Sequence, residues 1–285
     1  MDLATALAPL TADMKAVDEE LKALVSLIGS EADPSRSRMG ILGGIVQHPF
    51  AVPGKRIRPA MVVLTYRALG ASADADSLVS LAAAVEVLHA ASLVHDDVID
   101  AADSRRHQVS LNKRFGNRVA VLAGDILYTH FFTLITGMSR IEPGKRFALL
   151  DVFLETTKAM CMGEILAQEA RASAGPLNFE TYREIATDKT AVLFSACCRT
   201  AGILGEAPKP VVSTLAALGL DFGLAFQMID DVMDRDAGVE DGIDLKEKAL
   251  EHARGASRGI DTLPQSAYRK TLHDLLDYVI AQAIP

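Results

Sequence analysis

The sequence predicts an all-α protein made of a single domain. Along nearly the whole chain, hydrophobic residues recur at spacings of three and four, which is the period of an amphipathic helix. No alternating strand pattern of useful length and no long linker rich in Ser, Gly or Pro interrupts this period. With 285 residues and 49% hydrophobic content, the chain can bury a sizeable core.

The helical pattern falls into ten segments. In chain order, they are 3–28, 35–48, 57–70, 81–94, 117–138, 144–172, 178–203, 208–235, 238–258 and 265–282. Breaks fall at clusters of Gly, Pro and Asp, such as Pro53-Gly54, Glu142-Pro143-Gly144 and Glu206-Ala207-Pro208. Segment 81–94 is rich in Ala and apolar on nearly every face, so it predicts a fully buried helix.

Composition excludes several classes of protein. A net charge of −8 argues against a nucleic acid partner, because phosphate backbones need a basic face. Charged residues interrupt the apolar runs and acids crowd the first twenty residues, so we expect neither a transmembrane segment nor a signal peptide. Three cysteines without metal-binding spacing indicate buried thiols in a reducing, cytoplasmic compartment.

Two aspartate clusters are the main candidates for chemistry. They are Asp96-Asp97-Val98-Ile99-Asp100 and Asp230-Asp231-Val232-Met233-Asp234, about 130 residues apart. The first and fifth residues of each lie one helical turn apart, so their carboxylates share a face. Crowded carboxylates beside apolar residues favour a bound cation, and oxygen ligands favour Mg²⁺. A merely solvated helix end explains one such cluster well, but explains two poorly.

Basic and amide side chains elsewhere can bind diphosphate. Lys55 and Arg58 stand in the segment Gly54-Lys55-Arg56-Ile57-Arg58-Pro59, at a spacing that lets both converge on one anion. Further candidates are Arg105, Arg106, Lys189, Thr190, Phe226 and Gln227. Taken singly, each has an ordinary alternative, such as a basic helix start, a surface Lys or an amide at the edge of the core.

Taken together, these residues resemble the trans-isoprenyl diphosphate synthases, the polyprenyl synthetase family. The matching motifs run in order across most of the chain: GKRIRP at 54–59, EVLHAASLVHDDVID at 86–100, SRRHQVSLNKRFGNRVAVLAGDIL at 104–127, DKTAVLF at 188–194 and AFQMIDDVMD at 225–234. The resemblance implies antiparallel helices around a deep central cavity, with the two aspartate clusters facing each other across its mouth. It also implies a homodimer.

The resemblance implies roles for single residues as well. Asp96 and Asp100 resemble ligands of two Mg²⁺ ions with Asp97 in support, and Asp230 resembles the ligand of a third with Asp231 and Asp234 assisting. The isopentenyl diphosphate site is implied at Lys55, Arg58, His89 and Arg106. The allylic diphosphate side is implied at Arg105, Lys189, Thr190 and Gln227, and Phe226 beside Gln227 is a candidate for substrate binding. A lone His on an apolar helix is more often a core residue, so His89 keeps that alternative.

Residues upstream of the first cluster are expected to set product length. Ala91 and Ser92 lie about one turn before Asp96 and are small, so a growing chain can pass, and we expect a product longer than fifteen carbons. Tyr128, Phe131 and Phe132 are candidates for the floor of the tunnel. Simple core packing of these aromatic side chains is an equally good interpretation.

The chain departs from the family pattern after the second cluster. Members usually continue with a lid loop that carries a Lys and a G-x-D-L/F-x-E-G-K-x-T-L-P stretch. Here Asp234-Arg235-Asp236 runs almost directly into Ala237-Gly238, so a lid and helix segment is missing after Asp236. Either it is deleted, or the sequence omits a loop that orders only with ligand; the second explanation is favoured. The stretch Gly242–Glu247 is a weaker alternative match.

The expected function is therefore a Mg²⁺-dependent prenyltransferase that elongates an allylic diphosphate with isopentenyl diphosphate. Two alternatives use related features. One is a terpene cyclase or head-to-head synthase, although paired DDxxD motifs with GKRIRP favour elongation. The other is a non-catalytic regulatory subunit of a heteromeric synthase, although this chain retains all six motif carboxylates.

Overall fold

The computed structural model describes residues 2–30, 40–52, 54–71, 74–173, 175–234 and 238–283. Within these ranges the chain is mainly helical, and strand pairing is limited to one short hairpin and one isolated bridge, which confirms the all-α fold class. The helices are α1 Leu3–Ala6, α2 Thr11–Ser30, α3 Gly40–Gln47, α4 Ile57–Ala68, α5 Ala75–Ile99, α6 Leu111–Phe115, α7 Asn117–Thr136, α8 Pro143–Ala172, α9 Phe179–Ala186, α10 Val192–Leu204, α11 Lys209–Asp234, α12 Leu245–Asp261 and α13 Ala267–Ala281. Strands β1 Ser104–Arg105 and β2 Gln108–Val109 pair antiparallel.

The helices group into two compact units. The first comprises Met1–Thr11, Ala60–Leu78 and Glu142–Pro285, and the second comprises Ala12–Pro59 and Val79–Ile141. The first aspartate cluster belongs to the second unit, whereas the second cluster belongs to the first unit. The single domain over 1–285, its central cavity and the facing of the two clusters stay predictions.

In the first unit, helix α11 packs along α10 and α12. Close packing is possible because α11 carries glycines at the crossing. A Cβ atom at Gly223 would lie 2.6 Å from the Cα of Ala191, and one at Gly219 would overlap the backbone of Phe194. Phe194 and Phe222 are fully buried, with ring centroids 5.3 Å apart. The core of this unit therefore fixes the helix on which the second aspartate cluster stands.

In the second unit, the end of α5 is held against α7. The ring of His95 occupies the space above Gly124, where a Cβ atom would overlap it, and its Nε2 lies 3.1 Å from the carbonyl oxygen of Val121. Most of α5 is buried, as its apolar faces predict. This packing places the last turn of α5, with the first aspartate cluster, at a fixed position in the unit.

Several predicted segments differ from the observed helices. Segment 3–28 is divided at a 3₁₀ turn, Ala8–Leu10, because Pro9 has no N–H to donate within a continuous helix. Segment 178–203 contains a π-helix at Thr187–Ala191 between α9 and α10. The helix predicted from 238 begins only at Leu245, after glycines 238 and 242 with positive φ. Residues 35–39 of segment 35–48 lie outside the described residues.

Helix length and hydropathy correct one expectation. Three helices are long and apolar enough to cross a membrane, namely Ala75–Ile99, Asn117–Thr136 and Lys209–Asp234. The argument that charged residues break every apolar run too early is therefore wrong for these segments. In their most apolar windows, 72% of α5, 50% of α11 and 33% of α7 is buried inside the protein, so packing in the fold accounts best for α5.

Candidate active site

The first aspartate cluster occupies the last turn of α5 and extends just beyond it. Asp97 is only 4% exposed, whereas Asp96 is half-buried and Asp100 is exposed. The Oδ1 of Asp97 accepts a hydrogen bond from Nε of Arg105 at 2.6 Å. The amide of Asn112 donates to the backbone carbonyl of Asp97 at 3.0 Å. The second aspartate is thus anchored inside the protein, and the first and fifth stand nearer to solvent.

Burial raises the pKa of Asp97, and the charge on Asp100 adds to this, while the bond and charge of Arg105 oppose it. A buried carboxylate is costly unless cations neutralise it. Arg105 supplies one such cation. This environment suits a further cation beside the cluster.

Arg105 and Arg106 are presented by the hairpin of β1 and β2. The two loop residues, Arg106 and His107, have φ of +52° and +62°. Positive φ at both positions is the pattern of a type I′ turn, which ordinarily carries Asn-Gly. Non-Gly residues in this region are strained, and such strain clusters at functional sites. The guanidinium of Arg106 lies against Gly54, where a Cβ atom would come within 2.6 Å of its Nη1.

Arg58 and His89 contact each other in the same unit. Nη1 of Arg58 lies 3.1 Å from Nε2 of His89. Burial holds the pKa of His89 well below its usual value, and the nearby arginines lower it further. His89 is therefore neutral at pH 7, and its Nε2 accepts the hydrogen bond from Arg58. This contact is compatible with both interpretations of His89, as a ligand-site residue and as a satisfied core residue.

Arg56 pairs inward and differs in this from its neighbours. Its Nη1 donates to Oε1 of Glu86 in a close ion pair, and its Nε lies 3.2 Å from Oδ1 of Asp18. Glu86 is 4% exposed. Lys55, by contrast, is exposed. Arg56 thus ties the GKRIRP segment to α5 and α2, while Lys55 lies at the surface.

A small cavity of about 50 Å³ in this unit brings several predicted residues together. Its lining includes His89, Asp97, Arg105 and Arg106 beside the apolar Leu93 and Val94. Lys55, Arg58, Asp96 and Asp100 are outside that lining. The structure therefore places part of the predicted isopentenyl diphosphate set, together with Arg105, at one cavity.

The second aspartate cluster ends α11 and repeats the arrangement of the first. Asp230 and Asp234 are exposed, and Asp231 is half-buried. The hydroxyl of Tyr182 donates to Oδ2 of Asp231 at 2.5 Å, and Nε2 of Gln227 donates to Oδ1 at 2.9 Å. Burial raises the pKa of Asp231, and the charges of Asp230 and Asp234 raise it further, although both hydrogen bonds lower it.

The π-helix at Thr187–Ala191 presents Lys189 and Thr190. Nζ of Lys189 lies 2.5 Å from Oε2 of Glu164, and the hydroxyl of Thr190 donates to Oε1 of Gln227 at 2.8 Å. π-helical turns inside helices are frequent at functional sites. Gly163 of α8 permits close contact with this turn, since a Cβ atom there would lie 2.5 Å from the backbone N of Lys189.

A pocket of about 650 Å³ in this unit gathers the second group of predicted residues. Lys189, Thr190, Gln227 and Asp231 line it, whereas Phe226 does not. Phe226 packs on Phe194 instead, with ring centroids 5.3 Å apart. Phe226 is therefore placed in aromatic packing beside the core, outside the lining of this pocket.

Residues after the second cluster close one side of this pocket. Arg235, Asp236 and Ala237 lie outside the described residues, so the predicted missing segment after Asp236 stays a prediction. From Gly238 the chain runs beside Leu177, whose N–H donates to the carbonyl of Gly238 at 2.7 Å and whose carbonyl accepts from Glu240 at 2.9 Å. Val239 thereby joins the pocket lining.

The carboxylates fit a metal ion that is held jointly with a ligand. Among the described residues, no three His, Cys, Asp or Glu side chains converge to form a complete metal site. Mg²⁺ commonly binds one or two carboxylates together with waters and substrate phosphates. Asp96 with Asp100, and Asp230 with Asp234, supply carboxylate pairs of this kind one helical turn apart. The predicted metal ligands therefore suit Mg²⁺ bound with diphosphate.

The residues expected to set product length lie in the second unit. Ala91 is buried, and the half-buried Ser92 donates to the carbonyl of His89 at 2.9 Å. Tyr128, Phe131 and Phe132 form an aromatic cluster with centroid distances between 5.1 and 6.2 Å. Phe131 is fully buried, and the other two are half-buried. Their role as a floor stays a prediction.

Sequence reasoning missed several residues that hold the site. Tyr182, Glu164, Glu86 and Asn112 each bond to a predicted functional residue or to its neighbour. Tyr182 and Glu164 come from segments without a motif, whereas Glu86 and Asn112 lie inside matched motifs but had no predicted role. The partners of all four are distant in sequence. One feature of the sequence could have indicated two of them. Acids inside apolar helices, such as Glu86 and Glu164, need a cationic partner when they are buried.

Comparisons with known proteins bear on the family of this chain. The family model of polyprenyl synthetase matches residues 40–243. A prenyl transferase of a Synechocystis strain is 36% identical over 228 residues, 80% of this chain and 65% of that protein. Octaprenyl diphosphate synthase of Escherichia coli is 37% identical over 66% of this chain and 55% of that protein. The chain thus spans less than two thirds of each of these two relatives.

A solved structure supports the fold. Polyprenyl synthase from Caulobacter crescentus, in complex with calcium and isoprenyl diphosphate, superposes with a TM-score of 0.81. The superposition covers 98% of each chain at 24% sequence identity, so it bears on the fold alone. With a family model that matches most of its length, this chain belongs to the polyprenyl synthetase family.

Proposed function

We propose that this chain is a Mg²⁺-dependent prenyltransferase. It condenses isopentenyl diphosphate with an allylic diphosphate into a linear trans-polyprenyl diphosphate. The observation that carries the proposal is the shared geometry of the two aspartate clusters. In both, the second carboxylate is held by protein donors, and the first and fifth are closer to solvent. Cationic side chains lie near each cluster, and the family assignment agrees.

Each unit supplies groups for an anionic substrate, and the family resemblance also implies Arg105 of the second unit at the allylic diphosphate. In the second unit, Arg58, Arg106 and Lys55 are suited to the isopentenyl diphosphate, with neutral His89 holding Arg58 in place. In the first unit, Lys189, Thr190 and Gln227 line the pocket beside Asp231, where they suit the allylic diphosphate. Arginine binds such groups through paired hydrogen bonds and lysine binds them as a point charge.

The reaction requires stabilisation of the charge on the leaving diphosphate and exclusion of water from the allylic cation. It requires no nucleophilic side chain. Bound Mg²⁺, about three ions by family resemblance, would neutralise the diphosphate that leaves with the electron pair of the allylic C–O bond. Arg105 and Lys189 add fixed positive charge for that leaving group. Apolar Leu93 and Val94 keep water from the allylic cation, so the isopentenyl double bond attacks it. A proton then leaves the new chain and passes to the released diphosphate.

The product is proposed to exceed fifteen carbons. Ala91 and Ser92 place no bulky side chain on the turn before Asp96, so they leave room for a lengthening tail. Similarity to an octaprenyl diphosphate synthase supports a long product. Tyr128, Phe131 and Phe132 are proposed to end the tunnel.

The expected location of the protein is the cytoplasm.

Aspartate substitutions test the proposed activity. Asp96→Asn and Asp230→Asn each keep the side-chain size and remove one charge that would bind metal. We expect each to lower kcat/KM by about a hundredfold or more and to raise the Mg²⁺ concentration needed for half-maximal rate. Asp277→Asn, at an exposed position on α13, is the matched control and should behave as the wild type. Full activity in both site variants would reject the proposal.

A homodimer is proposed through the outer face of α8. Phe147, Leu154, Met162 and Ile165 are each more than half exposed and lie on one stripe of this helix. Apolar stripes of this kind mark interaction surfaces. Leu154→Glu should convert a dimer to a monomer in light scattering, whereas Leu27→Glu, at an exposed leucine of α2, should not. A wild-type protein that is monomeric at micromolar concentration would contradict this proposal.

A further inference from the structure

Tyr182 lies outside every motif of the sequence, and its side chain bonds to the second aspartate cluster. It is 5% exposed and comes from α9, which is remote in sequence from the second aspartate cluster. Its hydroxyl lies 2.5 Å from Oδ2 of Asp231. A buried hydroxyl needs a hydrogen-bond partner, and a carboxylate is a strong one. The bond therefore fixes the orientation of the Asp231 carboxylate.

Both oxygens of Asp231 are occupied by protein donors. Gln227, one turn earlier on α11, donates to Oδ1 at 2.9 Å. The same Gln227 accepts from Thr190 at 2.8 Å. A continuous chain of hydrogen bonds thus runs from Tyr182 through Asp231 and Gln227 to Thr190. This chain joins the end of α11, with the carboxylates, to the π-helix, with Lys189.

The phenol is the donor of this bond, and the carboxylate of Asp231 is the acceptor. Burial raises the pKa of Tyr182, and the neighbouring charge of Asp231 raises it further. The aromatic ring stacks beside Phe179 with centroids 6.4 Å apart, so its position does not depend on the hydroxyl alone.

We propose that Tyr182 is a positioning residue that sets the affinity of the second aspartate cluster for Mg²⁺ and diphosphate. Because its hydroxyl and Gln227 hold Asp231, the carboxylates of Asp230 and Asp234 are presented outward in fixed positions. Through Gln227 and Thr190, the same bonds hold the diphosphate-binding turn at Lys189. The inference rests on the proposed function, and it concerns a residue that lines the same pocket and acts through Asp231.

Removal of one oxygen tests this role. Tyr182→Phe keeps the ring and its packing but deletes the bond to Asp231. Calorimetric titration with inorganic diphosphate in saturating Mg²⁺ should show binding about tenfold weaker than in the wild type, since a hydrogen bond to a charged group is lost. Tyr278→Phe, a half-buried tyrosine of α13, is the matched control and should bind as the wild type.

A double-mutant cycle separates positioning from simple stability. In the Asp231→Asn background, Tyr182→Phe should change diphosphate affinity by less than about threefold, because the acceptor charge is already gone. Thermal unfolding without Mg²⁺ measures the structural effect separately. Equal losses from Tyr182→Phe in both backgrounds would overturn the role through Asp231.

The outcomes distinguish this inference from the proposed function. If the wild type binds no Mg²⁺-diphosphate, the proposed function itself fails. If the wild type binds and Tyr182→Phe binds equally well, only the role of Tyr182 is overturned. Should Tyr182→Phe fail to fold, Asp231→Asn is the second variant, because it weakens the same bond at constant size. Unchanged affinity in Asp231→Asn would then reject the inference.

Discussion

Within each aspartate cluster, single residues have different environments. The second carboxylate is anchored by protein donors, and the first and fifth lie nearer to solvent. Asp97 is held by Arg105, and Asp231 by Tyr182 and Gln227. Both have a raised pKa, with burial as the largest cause. The anchored carboxylate orients the helix end, and the two outer carboxylates are proposed to bind metal and ligand. The same division in two unrelated environments argues for a shared use.

The strained turn at Arg106 predicts opposite effects on stability and binding. Arg106→Asn should relieve the penalty of positive φ, because Asn tolerates the left-handed region, and should stabilise the fold by up to about 1 kcal/mol. It should also raise the KM for isopentenyl diphosphate about tenfold through loss of the guanidinium. His107→Asn, at φ +62°, is the control. It should stabilise without affecting KM.

Melting temperature and steady-state kinetics on the same preparations measure both effects. A lower melting temperature for Arg106→Asn would show that the arginine is needed for the turn itself. An unchanged KM would remove Arg106 from the isopentenyl diphosphate site.

His89 predicts how stability changes with pH. Its pKa in the fold lies well below the ordinary value because of burial and nearby arginines. The unfolded chain therefore binds the proton first, so His89 contributes a loss of stability as pH falls below about 6.5. Replacing His89 by Gln should flatten the pH dependence of the unfolding free energy between about pH 6.5 and 5. The unfolding free energy is measured by urea denaturation at each pH. If it changes with pH in the variant as it does in the wild type, the prediction is contradicted.

For single residues, the sequence predicted the candidate site residues better than the residues that hold them in place. Motif residues such as Asp97 and Lys189 could be found because their types and spacing are tied to the chemistry. The partners of Glu86, Glu164 and Tyr182 could not be predicted, because these pairs form across long stretches of chain. Phe226 was selected by its place beside Gln227, but its ring packs on Phe194 instead of lining the pocket.

Among the secondary-structure elements, helices α8, α10 and α11 determine the position of the second aspartate cluster. The π-helix at Thr187–Ala191 interrupts what the sequence predicts as one helix, 178–203. Periodicity cannot reveal one wide turn, because the apolar residues on both sides keep helical spacing. The contact with α8 depends on Gly163, whose missing side chain leaves room for the backbone at Asp188 and Lys189.

A methyl group at Gly163 should therefore separate α8 from the π-helix. Gly163→Ala places a Cβ atom 2.5 Å from the backbone N of Lys189, so we expect destabilisation by about 1–3 kcal/mol and weaker diphosphate binding. Gly144→Ala, in the first turn of α8, is the control. Its nearest neighbour would be 3.9 Å away, so it should be neutral or stabilising. Equal unfolding free energies for both variants would contradict the packing argument.

Most helices were predictable, and the exceptions have physical causes. Buried α5 follows from apolar residues on every face, although it begins at Ala75, earlier than the predicted 81. The hairpin of β1 and β2 was missed because strands of two residues show no alternation and its turn lacks Asn-Gly. Helix α12 starts late because glycines at positive φ precede it.

The whole molecule contains two compact units with one aspartate cluster each, and the chain belongs to the polyprenyl synthetase family. The order of motifs along the chain predicted this family, because an ordered set of weak signals is specific when each single signal is not. Spacing could not predict the division into units, because contacts between distant segments decide it. A regulatory subunit and a cyclase remain the alternatives that an assay must separate from an elongating synthase.

The most direct test is a turnover assay with the purified full-length chain alone, Mg²⁺, labelled isopentenyl diphosphate and allylic starters of increasing length. The account predicts release of one diphosphate for each isopentenyl unit added, and linear diphosphate products longer than fifteen carbons. Chromatography of the products measures both. No diphosphate release at saturating Mg²⁺ and substrates, or release of cyclic hydrocarbon in place of linear diphosphates, would contradict the account.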